Sequence, residues 1–385
     1  MNGLKTALVL GGGVGGLVAA NRLRKLLPSR HRVILFDREQ QHVFQPSLLW
    51  LASGNRAPEQ IQRPLAKLVR PGVEIRLGGI DAIEPEAHAV RVGTQLIRGD
   101  ALIIALGADL APESIPGLAT AGHNMYKLDG ARLFFEALRT FSGGRIVVLT
   151  AAPAYKCPAA PYEAAMLIEA ALRHRRVRER VKMDLYAAEA GPMAVTGQEL
   201  SGQVRALVES KGIHYHPEHQ VTSVDSVARK LMFTNGATAE FDLLIYVPPH
   251  RAPAVVRDAG LLNASGWIDV DRHTLETRIP GVFAIGDVTT IPLAMGKPLP
   301  KAGVFAHKQA EVVADNIVST WANRSERRAF DGVGECFVET GDGRAGFGAG
   351  DFYAEPTPQI KFHAPSRRWH LGKVLFERRW LKRWI

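Results

Sequence analysis

Two cysteines are the side chains of this 385-residue chain best suited to redox or nucleophilic chemistry. Cys157 follows Lys156 and precedes a helical pattern over residues 164–169. The positive end of a helix and a neighbouring cation both favour a thiolate, so the pattern predicts a lowered pKa. Cys336 lies 179 positions later, in segment 334–341. A thiolate at either position could attack or leave a disulfide; a buried, inert thiol is the alternative.

Glu163 is a third candidate, six residues past Cys157 on the first turns of the predicted helix. A carboxyl group placed there can donate or accept a proton during thiol chemistry. The alternative is a carboxylate that is solvated or that pairs with the helix dipole. The residues alone leave both interpretations open.

Composition limits the classes of protein to which this chain can belong. Two cysteines are too few for a secreted disulfide framework or a four-cysteine zinc site, and we predict no metal. With 46% hydrophobic and 22% charged residues, a folded globular protein is expected. Residues 361–385 hold eight Lys or Arg against one Glu, which is +7 of the formal charge of +10. The nearly neutral remainder argues against nucleic-acid binding and predicts a local basic patch on an anionic surface.

The sequence also bears on location. No apolar run reaches the ~18–20 residues that a membrane-spanning helix needs. The first residues lead directly into a strand pattern rather than into a charged leader and apolar core. These features predict a cytoplasmic protein that at most lies against a membrane.

The elements that position the cysteines begin with a dinucleotide-binding pattern. A strand over residues 4–10 leads into Gly11, Gly13 and Gly16 of a GxGxxG turn, and a helical pattern follows. Glycines permit a tight turn, close approach of a pyrophosphate and close packing of the helix. A second strand ends in Asp37, 21 residues past Gly16, where a carboxylate can bind a ribose hydroxyl. Together these features favour a bound dinucleotide over a glycine-rich turn without a ligand.

Two further segments extend this pattern. A buried strand precedes Gly107, and a second strand after residue 277 ends in Gly286-Asp287, where a carboxylate could meet a ribityl chain. In this order the three pieces resemble the two-dinucleotide-binding-domain flavoproteins, which implies one FAD domain interrupted by a second domain. The predicted fold is α/β, with two Rossmann-like domains and a C-terminal region with an amphipathic helix. We place the FAD-binding domain at 1–109 and 241–330, the second domain at 110–240, and the C-terminal region at 331–385.

The second domain departs from the nucleotide-binding pattern. After the strand over residues 145–149, the turn 150–163 contains no glycine. Side chains then fill the space where a pyrophosphate needs bare backbone, so we predict no NAD(P)H site there. Electrons must enter by another route, and Cys157 lies in this turn.

Over essentially its whole length the chain resembles sulfide:quinone oxidoreductases and the flavoprotein subunits of flavocytochrome c sulfide dehydrogenases. The resemblance rests on the glycine turn with Asp37, on segments 42–49, 156–163, 284–287 and 300–303, and on the Cys336 segment. The cysteine turn is the discriminating piece, because the HxFxP element of segment 42–49 is shared with type II NADH:quinone oxidoreductases.

The resemblance implies a redox-active Cys157/Cys336 pair on one face of FAD. Sulfide attacks the oxidised pair, one sulfur keeps the new atom as a persulfide, and the other passes two electrons to the flavin. Lowered pKa values at both cysteines would serve this exchange. Many members have a third cysteine that this chain lacks, and His42 stands near the position of a flavin-linking cysteine, so FAD is expected to be noncovalent.

Lys301 resembles the family lysine near the flavin pyrimidine edge, where a cation would stabilise reduced flavin. A surface lysine at the start of a helix is the alternative. The predicted catalytic residues are Cys157, Cys336, Glu163 and Lys301. The predicted cofactor contacts are Gly11, Gly13, Gly15, Gly16, Asp37, Arg38, Pro46, Ile80, Ala105, Gly107, Gly286, Asp287 and Lys301.

The C-terminal segment interleaves aromatic and basic residues. Its basic members are Arg367, Arg368, Lys373, Arg378, Arg379, Lys382 and Arg383. Its apolar residues form two stripes, one of Phe376, Trp380 and Trp384, the other of Leu371, Val374, Leu375, Leu381 and Ile385. One stripe could dock on the protein and the other enter a lipid headgroup layer. The alternative is a helix that closes the core with a solvated charged face. Aromatic residues in 346–353 suit either a quinone ring or core packing.

These observations predict FAD-dependent oxidation of sulfide to sulfane sulfur or polysulfide, with electrons passed to a membrane quinone. The expected location is peripheral, on the inner face of the cell membrane. The residues leave the oligomeric state open, and a homo-oligomer is one of the alternatives. Two other functions stay open: a type II NADH:quinone oxidoreductase and a flavin-binding redox sensor.

Overall fold

The computed structural model describes residues 3–382, which form two parallel sheets with flanking helices, then an antiparallel sheet and a last helix. The first sheet has five parallel strands. In spatial order they are Val282–Ala284, Ala101–Ile104, Thr6–Leu10, Arg32–Asp37 and Val73–Leu77. The three inner strands are nearly continuous apolar runs, which is the pattern of a parallel sheet covered on both faces.

Alternate residues of the first sheet serve two apolar clusters. Val9 and Leu35 face the helices Val14–Leu26 and Gly303–Trp321, which pack against each other. Leu8 faces the opposite side, where a small antiparallel sheet covers it. The strands of that small sheet are Ala82–Glu84, Ala89–Val92 and Gln95–Arg98. Because successive side chains of a strand point to opposite faces of the sheet, every second residue meets the helices.

The second sheet also has five parallel strands. In spatial order they are His123–Asn124, Leu243–Val247, Gly144–Thr150, Val181–Ala187 and His214–His216. One face packs on the helices Leu128–Thr140, Ala160–His174 and Gln198–Glu209. The other face packs on the antiparallel strands Val221–Asp225, Lys230–Phe233 and Thr238–Glu240.

The strand Leu243–Val247 lies in the second sheet, although the predicted FAD-binding domain resumes at residue 241. Its apolar run would suit the interior of either sheet, so composition did not distinguish them. We therefore propose that the boundary between the two domains lies beyond Val247. The other domain boundaries stay predictions.

The antiparallel C-terminal sheet comprises the strands Val333–Gly341, Arg344–Asp351 and Gln359–Ser366. Its first strand packs on the helix Ala160–His174. At Gly341, with φ +82°, a Cβ would lie 2.6 Å from the Cβ of Ala170. The chain then ends in the helix Arg367–Lys382, here called the C-terminal helix.

Shorter elements complete the fold. The remaining helices are Leu48–Ala52, Leu118–Ala121 and Ala254–Asp258. The remaining strand pairs are Gln41–Val43 with Gln62–Pro64, Asp109–Leu110 with His250–Arg251, and Ile268–Asp269 with Thr289–Thr290. Within residues 3–382, no helix is both long and apolar enough to cross a bilayer.

Candidate active site

The glycine turn after the strand Thr6–Leu10 is shaped for close backbone approach. Gly11 has φ +102°, and a Cβ there would lie 2.5 Å from the carbonyl oxygen of Ala105. A Cβ on Gly16 would lie 1.7 Å from the carbonyl oxygen of Gly11, and one on Gly15 would lie 3.0 Å from Ile285. A Cβ on Gly13 would meet nothing within 4 Å, so this glycine borders open space.

The helix that begins at Val14 has no side-chain cap. Its first amide groups therefore stay available to an anion, and the helix dipole favours one there. Asp37 accepts hydrogen bonds from the backbone N–H groups of Gly12 and Glu39. The open space at Gly13, the uncapped helix and the acidic strand end fit the pyrophosphate and ribose of a dinucleotide.

The other predicted cofactor contacts lie at the ends of neighbouring strands. Ala105 and Gly107 follow the strand Ala101–Ile104, which lies between the strands Thr6–Leu10 and Val282–Ala284. Gly286 has φ +73°, and its N–H donates to Oε1 of Gln309 at 2.7 Å. The helix Gly303–Trp321 starts nearby, also without a side-chain cap. The carboxyl edge of a parallel sheet is where such folds bind their cofactors.

Three predicted contacts lie farther along the chain. Arg38 is exposed beside Glu39. Pro46 is partly buried in the single helical turn Gln45–Ser47, and Ile80 packs against the apolar cluster on the outer face of the first sheet.

Lys301 joins the cofactor edge to the cysteine turn. Its ammonium donates to the carbonyl oxygens of Asp287 and Thr289, both at 2.8 Å, and lies 3.4 Å from the centre of the Trp267 ring. Burial lowers the pKa of Lys301 to about 8, and the Asp287 carboxylate partly opposes this shift. The carbonyl oxygen of Lys301 accepts the N–H of Cys157 at 2.7 Å.

Cys157 occupies a constrained turn before the helix Ala160–His174. Its φ of +50° lies in the left-handed region, which costs a non-glycine residue about 1–2 kcal/mol. The hydrogen bond to Lys301 holds this conformation, as does the bond from the Ala160 N–H to the Cys157 carbonyl at 2.9 Å. The Tyr126 hydroxyl also donates to the Lys156 carbonyl at 2.6 Å.

The fold brings the two cysteines into one neighbourhood. Cys157 and Cys336 are both partly buried against the same apolar cluster. A charge on Cys157 raises the pKa of Cys336, so each thiol lies within electrostatic reach of the other. The charges of Glu163 and Lys373 act on both thiols.

The prediction of lowered cysteine pKa values is wrong for this structure. Burial raises the pKa of Cys157 to about 12 and that of Cys336 well above its usual range, and the Glu163 carboxylate adds to both shifts. The Ala160 N–H at the helix start does lower the pKa of Cys157, but by less than burial raises it. Lys156 points elsewhere, 5.4 Å from the centre of the Tyr126 ring. Reduced thiols here are therefore protonated at neutral pH.

Glu163 is buried rather than solvated, with 2% of its surface exposed. Its Oε2 atom accepts hydrogen bonds from the ammonium of Lys373 at 2.6 Å and from the N–H of Glu339 at 2.9 Å. Burial raises the pKa of Glu163, and Lys373 opposes this rise. The carboxyl group thus lies beside the thiols with a cation in direct contact.

Lys373 belongs to the basic residues of the C-terminal segment, but the prediction that these cations face an anionic surface is wrong for it. It is 5% exposed, and its Nζ lies 5.0 Å from the centre of the Trp50 ring. Glu377, one turn on, is also buried and accepts from the Ser47 hydroxyl at 2.6 Å and from Arg56 at 2.8 Å. Lys373 and Glu377 share one helix face with Trp380, and that tryptophan is the one sequence signal that the face points inward.

Sequence reasoning also missed how the C-terminal helix attaches to the glycine turn. Trp380 is buried, and its Nε1–H donates to Nε2 of His42 at 2.9 Å. His42 Nδ1 lies 3.1 Å from the carbonyl oxygen of Gly12 and must donate to it. Acceptance at Nε2 requires a neutral imidazole with its proton on Nδ1, and burial lowers the pKa of His42. Trp380 of one stripe and Leu381 of the other are both buried, whereas Phe376 is 39% exposed, so the helix does not dock along one whole stripe as predicted. Trp384, Arg383 and Ile385 lie outside the described residues.

The aromatic residues of segment 346–353 pack within the protein. Phe347 stacks on Trp369 with ring centres 4.4 Å apart, and Phe352 meets the edge of Phe305 at 5.0 Å. Core packing, the alternative for this segment, therefore describes Phe352, whereas Phe347 is half-buried against Trp369.

The glycine-free turn of the second domain is closed by its own side chains. Glu189, two residues past the strand Val181–Ala187, accepts hydrogen bonds from the hydroxyls of Thr150, Tyr155 and Tyr162. In a nucleotide-binding unit, an acid at this strand end would face a ribose. Here the acidic group is already engaged by hydroxyl groups of the turn and its helix.

His250 is a further group that no sequence motif indicated. Its Nε2 is buried without a hydrogen-bond partner, and its ring meets the Tyr126 ring at 5.5 Å. Burial lowers the pKa of His250 to about 3, and the charges of Lys156 and Lys301 contribute. An unpaired buried nitrogen beside the cysteine turn fits a site that receives a polar group of another molecule.

Together the α/β fold and the dinucleotide edge define an FAD-dependent oxidoreductase. Residues 5–310 match the pyridine nucleotide-disulphide oxidoreductase family, and the chain belongs to that family. This confirms the predicted fold class and cofactor.

Among its relatives are sulfide:quinone oxidoreductases. The sulfide-quinone reductase of Aquifex aeolicus is 28% identical over 400 residues, covering 98% of this chain and 90% of the relative. The mitochondrial enzyme of Mus musculus is 24% identical over 375 residues, covering 94% and 81%. The X-ray structure of the Aquifex aeolicus enzyme has a TM-score of 0.88 at 26% identity, covering 97% of this chain and 90% of that one. The resemblance drawn from the sequence is thus confirmed.

A reductase with another name is also related. Demethylphylloquinone reductase NdbB of Synechocystis is 26% identical over 341 residues, covering 83% of this chain and 80% of the relative. The choice between related activities therefore depends on the residues of this chain.

Proposed function

We propose that this chain is a sulfide:quinone oxidoreductase in which Cys157 and Cys336 form the redox-active pair. The observation that carries the proposal is that two thiols, 179 positions apart, pack against one apolar cluster within electrostatic reach of each other, of a buried acid and near the lysine of the cofactor edge. Sulfide and a quinone are the substrates that the named relatives share.

The pair in its oxidised form offers a disulfide to the incoming sulfide. The sulfur of HS⁻ attacks one cysteine sulfur, the disulfide bond breaks, and a persulfide forms on the attacked cysteine. The second cysteine leaves with the electron pair of the broken bond. Because burial gives both cysteines raised pKa values, the departing sulfur needs a proton. Glu163 is the acid placed to supply it.

When bound, FAD would supply a two-electron acceptor, so that the thiol and the persulfide could rejoin through the added sulfur and their electron pair could pass on to the quinone. The glycine turn, Asp37 and the Gly286 segment would hold FAD, and Lys301 would place its cation at the same edge. The backbone N–H of Cys157 donates to the Lys301 carbonyl oxygen, and this hydrogen bond fixes the cysteine turn relative to the cofactor edge.

The rival function is reduction of a quinone by NADH. It is favoured by the kinship with the alternative NAD(P)H-ubiquinone oxidoreductase C1 of Arabidopsis thaliana, 25% identical over 364 residues, and disfavoured by the hydroxyl groups that engage Glu189 in the second domain. Stopped-flow mixing of the anaerobic holoenzyme with sulfide or with NADH separates the functions. We expect sulfide to bleach the flavin absorbance rapidly and NADH to leave it unchanged. Rapid bleaching by NADH alone would support the rival, and indifference to both donors would support a redox sensor.

Lys301 gives the flavin reduction a pH dependence. With a pKa of about 8, this side chain is an ammonium below that pH and a neutral amine above it. The rate of flavin reduction by sulfide should fall about tenfold as the ammonium is lost, because a cation stabilises the developing negative charge. Lys301→Arg should remove this transition, whereas Lys297→Arg in the same loop should retain it. An identical pH profile in Lys301→Arg would show that another group titrates.

We propose that the outer face of the C-terminal helix binds the membrane that holds the quinone, on its cytoplasmic side. Leu371 is 57% exposed and Leu375 is 47% exposed. The nearby side chains of Arg368, Arg378 and Arg379 are exposed as well. Exposed leucines among cations suit an interfacial helix on anionic lipid. Homo-oligomerisation and the absence of a nucleic-acid partner stay predictions.

The double variant Leu371→Ser/Leu375→Ser should bind anionic vesicles at least about tenfold more weakly, because two apolar side chains no longer leave water. Sedimentation with vesicles of phosphatidylglycerol and phosphatidylcholine measures this. Leu133→Ser/Val227→Ser provides a control, since it also removes two exposed apolar side chains, which are 43% and 93% exposed. Equal binding of both variants and the unaltered protein would contradict the assignment.

A further inference from the structure

We propose that Glu163, Lys373, Glu339 and His370 form a proton route between the cysteine pair and solvent at the C-terminal helix. The inference rests on the proposed function. Conversion of H₂S to sulfane sulfur removes two electrons and two protons, so protons must leave the site in every turnover. Because Glu163 is 2% exposed and both thiols are partly buried, the protons need a defined exit.

Glu163 is the inner end of this route. Its carboxyl group lies in the first turn of the helix that follows Cys157, and its Oε2 atom accepts the N–H of Glu339, three residues past Cys336. Its Oε2 atom receives the Lys373 ammonium at 2.6 Å. Tyr126 also feels the charge of Glu163, but its hydroxyl is engaged with the Lys156 carbonyl and offers no exit.

Glu339 and Lys373 form the middle of the route. Glu339 lies three residues past Cys336 on the same strand, and its N–H donates to Glu163 Oε2 at 2.9 Å. The carboxylates of Glu163 and Glu339 both act on the charge of Lys373. One buried ammonium thus interacts with the charges of two buried carboxylates, and its direct contact is with Glu163. Two buried carboxylates and one ammonium leave one negative charge without a partner, and such a buried charge is costly. These three side chains together can therefore hold one extra proton and pass it on.

His370 is the outer end. Its Nδ1 lies 3.0 Å from both carboxylate oxygens of Glu339, and 31% of its side chain is exposed. Imidazole can take a proton at one nitrogen and release it at the other. The Trp50 ring packs against both His370 and Lys373, at 5.8 Å and 5.0 Å, and covers the segment between them. Glu377 accepts hydrogen bonds from Arg56 and Ser47 and takes no part in the route.

Thiol hydrogen exchange tests the route without turnover. The reduced, anaerobic holoenzyme is mixed with D₂O, and the loss of the cysteine S–H stretching band is followed by infrared spectroscopy. We expect His370→Gln and Glu339→Gln to slow this exchange at least about tenfold. His174→Gln is the matched control, because His174 pairs with Asp342 at 3.1 Å on the surface. It should exchange at the wild-type rate.

A second measurement separates proton transfer from a merely structural role. In His370→Ala, added imidazole should restore the exchange rate, and with sulfide it should restore proton release, followed with a pH-indicator dye. Wild-type exchange rates in both His370→Gln and Glu339→Gln would overturn the route, as would a defect that imidazole does not relieve. Failure of sulfide to bleach the flavin would instead overturn the proposed function, because the exchange experiment uses no sulfide.

Discussion

Serine at position 157 or 336 should slow the reduction of the bound flavin by sulfide at least about 1000-fold, because neither variant can form the disulfide that sulfide attacks. Each substitution replaces a sulfur with an oxygen of similar shape in a partly buried site, so folding and FAD content should be retained. Stopped-flow absorbance at the flavin band measures the rate.

The two serine variants serve as mutual controls. If only one thiol took part, one variant would lose the reaction and the other would keep it. Unchanged kinetics in either variant would contradict a two-cysteine mechanism, provided that the flavin content matches that of the unaltered enzyme.

Alanine at position 16 should destabilise the protein severely, whereas alanine at position 13 should affect the cofactor. A Cβ on Gly16 would lie 1.7 Å from the Gly11 carbonyl oxygen, where only a backbone shift could relieve the overlap. We expect a loss of about 3 kcal/mol or more of unfolding free energy. A Cβ on Gly13 would meet no protein atom within 4 Å, so Gly13→Ala should fold normally.

Gly13→Ala should nevertheless weaken FAD binding at least about tenfold, because its methyl group would occupy the space that a pyrophosphate needs. Denaturant unfolding of the apoprotein measures the first effect, and flavin fluorescence during titration with FAD measures the second. Normal FAD affinity in Gly13→Ala would contradict the assignment of this turn as the cofactor site.

The dinucleotide edge could be predicted because its pattern is local. Gly11, Gly16 and Asp37 lie within 27 residues, and each is required by backbone geometry at one strand end. The absence of glycine between residues 150 and 163 was likewise readable without a structure. The partners of Glu189 were not, because they depend on which hydroxyls the turn directs toward that carboxylate.

The electrostatics of the cysteine site could not be predicted in the same way. A helix start and Lys156 suggested stabilised thiolates, but burial outweighs both, and the sequence does not state how deep a thiol lies. Lys373 looked like one more surface cation in a basic segment. Only the docking of the C-terminal helix on the Val333–Gly341 strand shows it paired with Glu163.

The state of the two cysteines in the oxidised enzyme is the most direct test of the account. Holoenzyme isolated without reductant can be denatured in an alkylating agent, digested and analysed by mass spectrometry. We expect the peptides that contain residues 157 and 336 to be joined, directly or through added sulfur. Once one equivalent of sulfide has bleached the flavin, the two peptides should be joined through one more sulfur atom than before, because the electron pair has left the cysteines. Recovery of both cysteines as separate alkylated thiols, from oxidised enzyme that sulfide still bleaches, would contradict the account.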